Sequence, residues 1–161
     1  MTRFFWAFCA ALTLAAPATA GQKTGEPADF ASATGACIAA LASGGDSSGS
    51  LTNSGWKEAG SNPVGKRFTH AGTSVTIVTS SMLGSPSCVV DGYLAKGEKD
   101  DLDEVIETGL AATYGDQLKV NRSAFGTGFV VGEVMAILSF ETRSGGLSTR
   151  ITAMSMAEEK Q

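Results

Sequence analysis

The segment DLDEVIETGLAATYG, residues 101–115, decides the fold class because it places an amphipathic helix between two regions that have strand periodicity. Asp101 and Glu104 have the spacing of a capping box, which predicts that the helix begins at Asp101. Gly115 stands where a C-terminal glycine is expected, which predicts that the helix ends there. Apolar residues recur between these points at spacings of three and four, and they define one buried face: Leu102, Val105, Ile106, Leu110 and Tyr114.

Apolar and polar residues alternate on both sides of this helix, as they do in half-buried strands. Upstream, a short strand is expected near Trp56, and residues 68–93 predict two antiparallel strands joined by a turn around residues 84–86. Downstream, a short strand is expected at residues 118–120, followed by a hairpin with strands at 129–141 and 147–156.

A second helix is predicted near the start of the domain, with Asp29 as its N-cap and Gly44 and Gly45 at its end. The element order predicts an α+β fold in two layers, in which two helices cover an antiparallel sheet of four to six strands. The two halves have a similar outline, which is compatible with a duplicated α-β-β-β unit. Two helices laid on one sheet is the less specific alternative.

The first twenty residues have the order of a secretory signal peptide: basic Arg3, an apolar run over residues 4–16, and the small residues of 18–20. The apolar run is too short to span a bilayer, and Pro17 interrupts it. We therefore expect cleavage after Ala20 and a single α+β domain over residues 21–161, with its ordered core at 27–157. The product is predicted to be periplasmic or secreted, with no integral membrane segment after cleavage.

Composition restricts the partners and the chemistry of this domain. The chain has 161 residues, a net charge of −4 and an isoelectric point near 4.9. An acidic chain has no surplus of positive charge to neutralise phosphates, so we expect no nucleic-acid partner. Cleavage removes Cys9 and leaves Cys37 and Cys88. In an oxidising compartment, these two cysteines are expected to form one disulfide.

None of the short motifs in the sequence predicts a cofactor or a metal. Ser54 and Lys57 have the S-x-x-K spacing found in penicillin-binding proteins, but the other motifs of that family do not follow them in the required order. The acidic run at 100–107 lacks the central glycine of a calcium loop, and a strand instead of a helix follows the glycines of 126–132. Trp56 and the single histidine, His70, remain as candidate surface or ligand contacts.

The leader, the helix with an inward Cys37, the pair Gly55 and Trp56, and Cys88 on a strand resemble small exported bacterial proteins of unassigned function. That resemblance implies a compartment and a fold outline, but no activity. Since no catalytic set is recognisable, we expect a non-enzymatic module that binds an exported protein or a small ligand. The alternatives are a small periplasmic hydrolase that uses His70 with a nearby serine, either Ser54 or Ser74, and a structural subunit of the cell envelope.

Overall fold

The computed structural model describes residues 23–44, 47–63, 65–81, 85–95, 98–124, 126–143 and 146–156. The predicted signal peptide lies outside the described residues. The elements, in chain order, are α1 (Pro27–Ala42), α2 (Ser47–Asn53), β1 (Lys57–Asn62), β2 (Gly65–Thr69), β3 (Thr76–Ser80), β4 (Ser87–Leu94), α3 (Lys99–Tyr114), β5 (Leu118–Ser123), β6 (Gly126–Val131), β7 (Val134–Arg143) and β8 (Gly146–Ser155).

All eight strands belong to one antiparallel sheet with the order β1-β2-β3-β4-β8-β7-β6-β5. The predicted α+β class is therefore confirmed, but the expected number of four to six strands is too low. One reason is that the predicted strand at 129–141 is two strands. Gly132 has a φ of 57°, which permits a two-residue turn with Glu133 between β6 and β7. The other is that β2 pairs with β1 as a separate strand.

Each half of the chain contributes one long helix and four consecutive strands, and β4 and β8 meet at the centre of the sheet. The sheet order is symmetric about this central pair, because both halves run from an edge strand toward it. The repeated topology is thus α-β-β-β-β and not the α-β-β-β unit that the sequence suggested. The first half also contains α2, which contacts α1 and β1.

Both long helices begin earlier than their acidic residues predicted. The N-caps are Glu26 and Glu98, so the predicted starts at Asp29 and Asp101 are wrong. Pro27 lies in the first turn, where a backbone N–H would have no partner within the helix, so its absence costs nothing. Asp29 caps the helix from the third position, because its carboxylate accepts a hydrogen bond from the Glu26 backbone N–H at 3.2 Å. The predicted end of α3 is confirmed, since its C-cap is Gly115 with a φ of 52°.

The helices cover one face of the sheet and enclose a single core. Helix α1 lies over β3, β4, β7 and β8, whereas α3 packs beside α1 over β5 and β6. Phe30, Phe68 and Phe129 are the largest fully buried side chains, and they come from α1, β2 and β6. Tertiary packing of the helices against this core stabilises them, since isolated helices of this length are marginal in water.

A disulfide between Cys37 and Cys88 joins α1 to β4, as the sequence predicted. The two Cα atoms are 5.6 Å apart, and both side chains are fully buried between the helix layer and the sheet. The bridge therefore crosslinks the two layers at the centre of the fold.

No helix in the part of the chain that the structure describes is long and apolar enough to cross a bilayer.

Candidate functional site

Trp56 and His70, the two candidate contact residues, lie against each other. Their ring centroids are 5.4 Å apart with an angle of 53° between the ring planes. Trp56 retains 3% of its exposed surface and belongs to the hydrophobic core, while His70 is exposed and covers the indole from the outside. The indole is therefore a core aromatic at the margin of the helix layer, and the imidazole is the accessible member of the pair.

Among the described residues, the imidazole of His70 forms a hydrogen bond with a backbone carbonyl and with no serine hydroxyl. Its Nδ1 atom lies 3.0 Å from the carbonyl oxygen of Ala71. Ser54 donates its hydroxyl to the carbonyl of Ser50 at 3.0 Å, and the buried Ser74 hydroxyl has no hydrogen-bond partner among the described residues. A cavity of about 200 Å³ beside the imidazole brings other polar side chains near it, among them Asp29, Ser32 and Thr73.

Two of the acidic residues of α3 contact side chains of the sheet. Glu107 pairs with Arg122 of β5, and Asp103 accepts a hydrogen bond from the hydroxyl of Thr127 in β6. Across the described residues, no cluster of histidine, cysteine, aspartate and glutamate is arranged to hold a metal ion. These carboxylates therefore fix the position of the helix over the second half of the sheet.

An open groove of about 990 Å³ lies between α1 and α3. Small residues form its floor, because the two helices lie close together there. A Cβ atom added to Gly109 would lie 3.4 Å from the Cβ atom of Ala31. Tyr114 closes one part of the groove and donates a hydrogen bond to the Gly35 carbonyl at 3.5 Å. Partial burial raises the pKa of the Tyr114 hydroxyl, since the charged phenolate loses solvation.

The face of the sheet that points away from the helices is uncovered by any described element, and we call it the open face. Residues directly opposite each other on antiparallel strands point to the same side, so the strand register defines rows of side chains across this face. Row 1 crosses β3, β4, β8 and β7 through Val78, Val89, Thr152 and Ile137. Row 2 crosses β8, β7 and β6 through Met154, Met135 and Val130.

These two rows are neighbours, and all of their side chains except Thr152 are apolar, so they form a largely apolar surface over the centre of the sheet. Ile137 keeps 36% of its surface exposed, and the other apolar members of the rows are half-buried by their neighbours alone. The next row is polar and contains the cross-strand pair of Arg150 and Asp91, whose closest guanidinium and carboxylate atoms are 3.1 Å apart. The open face thus has an apolar centre beside a charged row.

Known proteins provide no identification of this arrangement: no protein family, curated protein or solved structure matches the chain. No motif in the sequence pointed to the open face. Its signal was the apolar character of both alternating sets, as in residues 134–138, where Met135 and Ile137 stand between core residues, and also in residues 88–90 and 129–131.

Proposed function

We propose that this protein is an exported, non-enzymatic binding module that is stabilised by one disulfide and binds a protein partner through the open face. The single observation that carries the proposal is the largely apolar surface formed by rows 1 and 2. An antiparallel sheet with one solvated face usually alternates apolar residues inward and polar residues outward. Here the outward set is apolar at the centre of the sheet.

Such a surface favours an interaction site, because the largest contiguous apolar patch on a soluble monomer is often functional. Met135 and Met154 lie side by side in row 2, and unbranched methionine side chains adapt to the shape of a partner. Val89 and Val78 extend the surface to the first half of the sheet. A protein that covered these rows would remove their side chains from water and gain free energy at about 25 cal/mol per Å² of apolar area.

Two further features support export. The leader-like first twenty residues predict transport out of the cytosol, and a disulfide persists in oxidising compartments. The disulfide also suits a rigid binding surface, since it fastens α1 to the back of β4, whose other side carries Val89. The sheet is therefore held in one shape behind the surface that we propose as the contact.

Site-specific photocrosslinking in the producing cell tests the proposal. A photoreactive residue in place of Ile137 is expected to trap a discrete protein, whereas the same residue in place of the exposed Thr108 on α3 should trap none. Adding Val89→Glu, which places a charge in row 1, should abolish the product from position 137. Circular dichroism and an intact disulfide would show that this variant is folded.

The proposal is wrong if position 137 gives no product, or if positions 137 and 108 give the same product in equal amounts. It is also wrong if the product survives Val89→Glu unchanged, because the contact would then not involve the apolar centre.

A further inference from the structure

The distribution of charge around the open face indicates the chemistry of what it binds. We infer that its occupant is an amphipathic helix of a partner protein, with an apolar stripe along its length and carboxylates near both ends. This inference rests on the proposed function, because it names the partner of the same surface.

Each apolar row ends at a cation, and the two cations are at opposite sides of the sheet. Row 1 continues from Val78 to Arg67 on β2. Row 2 continues from Val130 to Lys119 on β5. Both cations are exposed, and neither forms an ion pair with another described residue. The apolar surface is therefore bounded at its two ends by available positive charge.

The length of this surface fits a helix that crosses the strands. Six inter-strand steps separate β2 from β5 in the sheet order, which at about 4.8 Å each gives about 29 Å. An α-helix of about 19 residues has that length. A helix lying along the rows would place its apolar stripe on Val89, Ile137 and Met135 and its ends near Arg67 and Lys119.

The open face also differs in sign from the rest of the molecule. Among the side chains that the structure describes, the register assigns to it the cations Lys57, Arg67, Lys119 and Arg150, against the carboxylates Asp91 and Glu141. The whole chain carries a net charge of −4, and the excess acid is concentrated on α3. Charge complementarity therefore selects an acidic segment for this face.

A second copy of the chain fits the face poorly. A two-fold dimer pairs a surface with itself, so it would bring the cations of two open faces together. Like charges brought together in this way oppose binding. The charge distribution favours a different protein over self-association.

Two synthetic helical peptides of about 20 residues provide the test. Both have the same stripe of leucine and methionine, and their flanking positions carry either glutamate or lysine. The purified protein with its disulfide formed should bind the glutamate peptide about tenfold more tightly than the lysine peptide in fluorescence anisotropy. The preference should shrink when the salt concentration is raised from about 50 mM to about 300 mM, because surface charges are then screened.

Charge reversals at neighbouring residues separate the open face from the overall charge. Arg67→Glu combined with Lys119→Glu should weaken binding of the glutamate peptide by about tenfold, which corresponds to about 1.4 kcal/mol. Lys66→Glu changes a cation on the same strand, but its side chain points to the helix side, where it pairs with Glu58 at 3.5 Å. That control should leave the affinity within about twofold of the unmodified protein.

The inference is overturned if the two peptides bind equally, if neither binds, or if Lys66→Glu has the same effect as the open-face reversals. It is also overturned if vesicles containing an anionic phospholipid bind the protein while both peptides fail, since the face would then recognise a membrane. Crosslinking from position 137 in any of these cases would leave the proposed function standing without this partner chemistry. Loss of both crosslinking and peptide binding would remove the two together.

Discussion

Removing the disulfide should cost a large share of the stability of this fold. Cys37 and Cys88 are 51 residues apart in sequence, and the chain-entropy relation for a loop of that length gives about 4 kcal/mol at 25 °C. Domains of this kind are stable by only about 5 to 15 kcal/mol, so the crosslink is a substantial part of the total. We expect the double variant Cys37→Ala and Cys88→Ala to lose about 4 kcal/mol of unfolding free energy.

Urea unfolding followed by circular dichroism measures this loss directly. Each single alanine variant already breaks the crosslink, so each should lose nearly as much as the double variant. The second substitution should add only about 1 kcal/mol, for the packing of one buried sulfur. A matched comparison is the unmodified protein with its disulfide reduced, which should unfold at the same urea concentration as the variants to within that packing difference.

The reasoning fails if the double variant loses less than about 1 kcal/mol, since the crosslink would then not restrict the unfolded chain. It also fails if the losses of the two single variants add up in the double variant, because the effect would then come from side-chain packing and not from loop closure.

Three further perturbations test the packing of the fold. Gly65→Ala should destabilise the protein by about 2 to 3 kcal/mol, because its Cβ would lie 1.9 Å from a backbone oxygen of the adjacent strand; Gly128→Ala, whose nearest contact is 3.8 Å, should have little effect in the same thermal melts. Ile106→Ala should cost about 2 to 5 kcal/mol in urea unfolding, whereas exposed Thr108→Ala should stay within about 0.5 kcal/mol, and equal losses would contradict the burial of this helix face. Burial raises the pKa of the Tyr114 hydroxyl, so the neutral hydroxyl contributes its full stability below the ordinary pKa near 10, and this contribution is lost as the pH rises through the higher folded pKa. Tyr114→Phe should therefore lose less unfolding free energy between pH 9 and 11 than the unmodified protein. Parallel curves of unfolding free energy against pH would refute this.

Local patterns predicted the elements that depend on local interactions. The apolar spacing of residues 101–115 and the glycine at its end predicted α3, because helix periodicity and a left-handed C-cap are properties of adjacent residues. The start of the same helix was misjudged by two residues. Several acidic residues stand in a row there, and any of them is a chemically acceptable first-turn residue.

The number of strands was underestimated because a short strand has a weak signal in sequence. The strand that the sequence did not predict separately is β2, whose one buried residue, Phe68, gives no apolar alternation, and it is defined by its pairing with β1 and β3. The boundary between β6 and β7 depends on the positive φ of Gly132, which a glycine permits but does not require. Backbone pairing between strands decided both cases.

The sequence by itself determined the α+β class, the leader-like start and the pairing of Cys37 with Cys88, because these follow from composition, periodicity and a count of thiols. Only the tertiary structure decided that both long helices lie on the same side of the sheet and that no described element covers the other side. Strand alternation shows which residues share a face, but a layer is assigned to one face by contacts between distant segments. The residues of the apolar rows and the cations at their ends are therefore brought together only by the order of the eight strands in the sheet.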